Sequence, residues 1–157
     1  MPPAPQSPIK IAIVSCPAYL PIVRAAVEQL CRLVGFDTQG AGSVALAVDE
    51  ALANVIKHAY HGREDGPIDV TLTPLVGSDK TQGLEVVVQD RGRVVATESI
   101  RSRDLSDVRP GGLGVHIMNC CMNTVEYSHP PEGGTRLRMV KCLSSTPSEH
   151  SSGELNG

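Results

Sequence analysis

The stretch ALAVDEALANVIKHAY, residues 45–60, decides the fold. At about 100° per residue, Val44, Val48, Ala51, Leu52, Val55, Ile56 and Ala59 fall on one arc of a helix. Glu50, Asn54, Lys57, His58 and His61 fall on the opposite arc. The apolar arc has to be buried against a second layer. The polar arc carries an acid, an amide and a base at steps of four, which is ordinary on a solvated helix face, where such pairs support one another. It also suits chemistry, because Glu50 can take a proton or orient water and Asn54 can offer an uncharged oxygen to a hard cation such as Mg²⁺. The helix by itself leaves both readings open.

Before this helix, a Pro-rich arm over residues 1–8 leads into IKIAIV (9–14), which reads as a strand. PAYLPIVRAAVEQLCRLVGF then predicts a helix from about residue 18 to 34, with Leu20, Val23, Val27, Leu30 and Val34 on its apolar side and Gly35 as its stop. After it, PIDVTLTPLV (67–76) and LEVVVQ (84–89) alternate as strands around GSDKTQG and predict an antiparallel hairpin. Residues 93–110 show no steady period and end in RPGGLG. VHIMNCCM is compatible with a short helix, and NTVEYS and TRLRMVK are strands separated by HPPEGG. The Ser, Glu, Gly and Asn tail predicts disorder over 143–157, which leaves one domain over 9–142.

This order predicts an α/β two-layer sandwich, a mixed, mostly antiparallel sheet with helices packed on one face. A doubly wound dinucleotide fold is excluded, since strands and helices do not alternate and no G-x-G-x-x-G follows the first strand. GGLG is not a Walker A loop either, because it lacks the G-K-[ST] ending.

Composition narrows the function. A chain of 157 residues that is 41% hydrophobic suits one core. A net charge of −3, no Trp, one Phe and three Tyr argue against direct nucleic-acid binding, which wants a basic face and stacking rings. No basic and apolar leader opens the chain and no run approaches the roughly 20 apolar residues of a membrane span, so a cytoplasmic protein is expected. Cysteines 16, 31, 120, 121 and 142 have no C-x-x-C spacing and predict reduced thiols, with Cys31, Cys120, Cys121 and Cys142 as small buried hydrophobes. His58 with His61, and His116 with Cys120, lack a third metal ligand.

Three loops could serve a ligand. GGLG stands directly before a helix, where unpaired N–H groups and the positive dipole end favour an anion. Asp90 and Gly92 close a strand; they are turn material first, but an aspartate there can accept from an exocyclic amine and a glycine lets a flat base approach the backbone. Gly133 to Thr135 are likewise turn residues whose hydroxyl could complete an adenine pocket.

With DEALANVIKHAY, DRG, GGLG and GGT in this order, the sequence resembles the GHKL ATPase superfamily of the Bergerat fold, and within it the anti-sigma-factor serine/threonine kinases. The closer likeness rests on residues 17–60 and on GGLGVHIMNCCMNTVEY, and the resemblance covers about residues 9–142. It implies that Glu50 is the general base, Asn54 the Mg²⁺ ligand, Asp90 the reader of the adenine amine and Gly92 the glycine beneath the base. It further implies that the backbone around Gly112, Leu113, Gly114, Val115 and His116 holds the phosphates of ATP, that residues 93–110 form a lid, and that Thr135 lies near the adenine. DRGRVV lacks the second glycine of the superfamily's D-x-G-x-G box. The implied partners are a STAS-domain anti-anti-sigma protein as substrate and a sigma factor that is sequestered, with a homodimer expected. The alternatives are a nucleotide- and partner-binding module with little kinase activity and a detached histidine-kinase ATP-binding domain.

Overall fold

The computed structural model describes residues 6–76, 82–93 and 113–144. Strand β1 (Ile9–Val14) opens the chain, and a 3-10 turn over Pro17–Tyr19 leads into helix α1 (Leu20–Val34). Helix α2 (Thr38–Asn54) continues without a break as a π turn over Val55–Ala59. Strands β2 (Pro67–Val76) and β3 (Gln82–Asp90), helix α3 (Leu113–Cys121) and strands β4 (Thr124–Ser128) and β5 (Arg136–Cys142) complete the described elements.

The strands form one sheet in the order β1-β2-β3-β5-β4. Every pairing among the described residues is antiparallel. The strand period of two sorts the side chains: Ile68, Val70, Leu72, Leu84, Val86 and Val88 are all buried in the core with the helices. The alternate positions form the other face, where Arg138 donates to Glu85 at 2.6 Å and to Glu126 at 3.0 Å. Register places Ile68 opposite Asp90 and Val88 opposite Leu137, so that Asp90 ends its strand on the helix side of the sheet.

Helix α1 buries Val23, Val27, Leu30, Cys31 and Val34, and Gly35, at φ 114°, closes it with its N–H on the Cys31 carbonyl at 3.0 Å. Helix α2 begins at Thr38, well before the stretch that was legible as a helix, because the Asp37 carboxylate caps it by accepting the Gly40 N–H at 2.7 Å. Its buried side is Ala41, Val44, Ala45, Ala47, Val48, Ala51 and Leu52, whose small residues let it lie deep between α1 and α3.

The five cysteines are all unpaired, but only Cys31 is buried. Cys120 and Cys142 are exposed, contrary to expectation: α3 has a narrow buried stripe of Gly114 and Met118, and Cys142 lies at the open end of β5. At the carboxyl end the Leu143 N–H donates to the Gln82 carbonyl at 2.8 Å, so the domain's pairing reaches one residue past its expected boundary. The arm over residues 1–5, the GSDKT turn, most of the expected lid and the tail from residue 145 lie outside the described residues. No described helix is long and apolar enough to cross a membrane.

Candidate nucleotide and phosphotransfer site

Glu50 and Asn54 stand one turn apart near the end of α2, both half-buried. The preceding Asp49 is held by Arg24 of α1, whereas Glu50 makes no ion pair with a described residue. The start of α3 closes over the two side chains: a Cβ added at Gly114 would stand 2.7 Å from Glu50 Oε2 and 3.5 Å from Asn54 Nδ2. A glycine there leaves the carboxylate in this position, which a side chain would displace. The first described turn of α3 therefore lies beside Glu50 and Asn54, and a phosphate held by N–H groups of a helix start there would meet both. On its other flank Glu50 borders an open groove of about 400 Å³, lined mainly by apolar atoms of Leu20, Pro21, Arg24, Asp49, Glu50 and Ala53.

A second group forms where β3 ends beside the start of β5. Asp90 is 2% exposed. Its N–H donates to the Thr135 carbonyl at 3.0 Å, and its Oδ1 accepts the N–H groups of Gly92 at 2.9 Å and Thr135 at 3.3 Å. Burial pushes this carboxyl above its ordinary value, while the two amide bonds and the charge of His129 pull it back. Gly134, at φ 77°, has no room for a side chain, since its Cβ would collide with the Asp90 carbonyl. The Thr135 hydroxyl is buried with no hydrogen-bond partner among the described residues. An orphaned hydroxyl beside a buried carboxylate is a place for a polar ligand group, because burying either without a partner is costly.

The π turn joins the two groups. A Cβ on Gly92 would stand 2.5 Å from the Ala59 carbonyl and 2.8 Å from the Ala59 Cβ, and the Arg93 N–H donates to that same carbonyl at 3.2 Å. Close packing on the helix end thus requires glycine at 92 whatever lies above it. Glu50, Asn54 and Gly114 are brought together, as are Asp90, Gly92 and Thr135. Leu113 is exposed, Val115 packs toward the core, and His116 points along α3 with Nε2 3.6 Å from Cys120 Sγ. Gly112 lies outside the described residues. The sequence reading assigned no role to Tyr60, which is buried at the junction, although a tyrosine closing a helix and hidden in a core needs a partner for its hydroxyl.

The profile of the histidine kinase-like ATPase domain matches residues 13–141. The chain belongs to this family. Among curated relatives, the serine-protein kinase RsbW of Listeria monocytogenes is 28% identical over 143 residues, covering 86% of this chain and 87% of the relative. The serine-protein kinase RsbW of Bacillus pumilus is 26% identical over 151 residues, covering 90% of each. The crystal structure of the RsbU and RsbW domains of Rv1364c from Mycobacterium tuberculosis shares the fold, with a TM-score of 0.61 at 19% identity over 87% of this chain and 32% of that one. The family and its RsbW-type relatives bear out the resemblance to GHKL anti-sigma-factor kinases, and the antiparallel sheet with its helices is the corresponding α/β sandwich.

Proposed function

We propose that the protein is a serine/threonine kinase of the anti-sigma-factor type, which transfers the γ-phosphoryl group of Mg-ATP to a hydroxyl of a STAS-domain protein and sequesters a sigma factor. The observation that carries this reading is the closure of Gly114 onto Glu50 and Asn54, which sets a carboxylate, an amide and a helix N-terminus around one point. The buried Asp90 and the orphaned Thr135 hydroxyl are the second support, as acceptor and hydroxyl for an adenine.

On this reading Asp90 accepts from the adenine amine and Thr135 completes the base pocket. The amides of Leu113, Gly114 and Val115, with Gly112 before them, hold phosphate oxygens. Asn54 supplies a side-chain oxygen to Mg²⁺, which when bound neutralises phosphate charge. A serine or threonine hydroxyl attacks the γ-phosphorus as the bond to the ADP oxygen breaks, and its proton passes to Glu50. The open groove beside Glu50 leaves a way in for a protein hydroxyl. A cytoplasmic homodimer, with the edge strand β1 available for pairing, accords with the same reading.

The test uses purified protein, γ-labelled ATP and each STAS protein encoded nearby. Label should pass to a STAS serine or threonine, and Glu50→Gln should slow transfer by about 10²-fold or more while ATP affinity stays near the parent's. Asn54→Ala should damage both. A parent that binds ATP but labels no STAS protein is a binding module, and one that ignores adenine nucleotides up to millimolar concentration refutes the proposal.

A further inference from the structure

Tyr60 is 6% exposed and is tied at both ends. Its N–H donates to the Val55 carbonyl at 3.2 Å, closing the π turn. Its hydroxyl donates to the Pro67 carbonyl at 2.6 Å, where β2 starts, and accepts the Arg91 N–H at 2.9 Å. The ring lies flat against Gly66, where a Cβ would stand 2.4 Å from ring carbon Cδ1. Arg91 is the residue between the carboxylate that ends β3 and the glycine that rests on Ala59, so this one hydroxyl grips the middle of the turn.

We propose that Tyr60 is a positioning residue for nucleotide binding: its hydroxyl sets the Asp90–Gly92 turn against the end of α2 and so holds the base-reading carboxylate in register with Glu50 and Asn54. The inference rests on the kinase reading given above. Asp90 is fixed to β5 and to its own turn by its bonds with Thr135 and Gly92, but against the end of α2 the turn has only two other described clamps, Gly92 on Ala59 and the Arg93 N–H on the Ala59 carbonyl, both past Arg91 in the chain. The Arg91 side chain pairs with Asp69 at 3.0 Å, but both partners are about half exposed and such a pair holds little against solvent. Removing the hydroxyl leaves the Arg91 N–H and the Pro67 carbonyl without their partner and lets the turn rise from the helix.

Parent, Tyr60→Phe and Gly66→Ala proteins, each as the full chain, are titrated with adenosine, ADP and ATP and assayed for transfer. Phe keeps the ring packing, so Tyr60→Phe should fold. It should weaken adenosine and ATP alike by about tenfold and raise KM for ATP by a similar factor, with kcat within about twofold. Gly66→Ala keeps the hydroxyl but pushes the ring aside, and should weaken adenosine in the same direction. A Tyr60→Phe protein that melts earlier yet binds adenosine as the parent does would show a merely structural residue and overturn the inference. A fall in kcat with KM unmoved would overturn it too. If the parent itself binds no adenine nucleotide, the kinase reading fails and takes this inference with it; equal binding by parent and Tyr60→Phe sinks the inference alone.

Discussion

Gly114 lies so close to Glu50 that a Cβ at the glycine would stand 2.7 Å from the carboxylate oxygen Oε2, well inside contact distance. The two backbones are held, α2 in the core through Ala47, Val48 and Ala51 and α3 through Met118, so what yields to a methyl group is the end of the Glu50 side chain. Gly114→Ala is therefore expected to turn the Glu50 carboxylate aside. A displacement of about 1 Å at a reacting group can cost about 10²-fold in rate. Transfer should fall by that order while the melting temperature changes little, because alanine suits a helix. Full activity in the alanine variant would show that the observed closeness plays no part in catalysis.

On the proposed reading, Asp90 sets a cost in stability against a gain in binding. Burial raises its carboxyl above the ordinary value of 3.8, so the folded chain holds this proton more tightly than the unfolded chain does. The resulting contribution to stability is complete below the ordinary carboxylate range and is lost as pH rises through the raised folded value. At pH 7 the ionised group works against the fold. Asp90→Asn keeps an oxygen for the Gly92 and Thr135 amides and removes the charge. The variant should melt above the parent at pH 7, with the gap narrowing toward pH 4, and bind adenosine about tenfold or more weakly for want of a charged acceptor. Thermal melts across pH with parallel titrations check both halves, and a variant that melts below the parent at pH 7 contradicts the first.

Much of the fold was legible because its signals are local. Strands β2 and β3 alternate so regularly that their expected bounds lie close to the observed Pro67–Val76 and Gln82–Asp90, and Gly35 ends α1 where its sequence position indicated. The start of α2 was not legible. Gly40 and Gly42 are poor helix formers, and what holds Thr38–Val44 in the helix is the Asp37 cap together with burial of Ala41 and Val44. The π turn was hidden for a different reason, since its carbonyl at Ala59 is engaged by Arg93, a residue from a distant part of the chain. Tyr60 is of the same kind, since both partners of its hydroxyl come from other strands' ends. Local periodicity shows which face of a helix is polar; it does not show which turn will be laid on it.

The glycines of α2 offer a direct measure of that helix. A Cβ at Gly42 meets nothing within 4 Å, so Gly42→Ala should stabilise the protein by roughly 0.5–1 kcal/mol through reduced unfolded-state freedom. At Gly40 the Cβ would stand 3.1 Å from both the capping Asp37 Oδ1 and Phe36 Cδ1, so there the gain should be offset. Denaturant melts with unchanged slope should rank Gly42→Ala above the parent and above Gly40→Ala. The reverse order would mean that the cap tolerates crowding and that the open site does not benefit from a methyl group.

The last prediction concerns partners. Glu50 stands between two flanks, the start of α3 at Gly114 and the open groove along Leu20, Pro21 and Ala53. If ATP phosphates occupy the first flank, a protein that presents a hydroxyl to Glu50 has to enter along the second, within reach of the γ-phosphate. A nucleotide can change a partner's affinity only by touching or ordering what the partner touches, and here the two would share one carboxylate. Exchanging ATP for ADP should therefore shift the affinity for a STAS protein or a sigma factor by an ordinary coupling energy, about 1–3 kcal/mol, which is about 5–150-fold in Kd. The coupling should be reciprocal, so a saturating partner should shift ATP affinity relative to ADP by the same factor. Titration of each partner with ATP, with ADP and with no nucleotide decides the matter. Affinities indifferent to nucleotide would remove the switch, and simultaneous binding of sigma factor and STAS protein to one subunit would show that they do not compete for the groove beside Glu50.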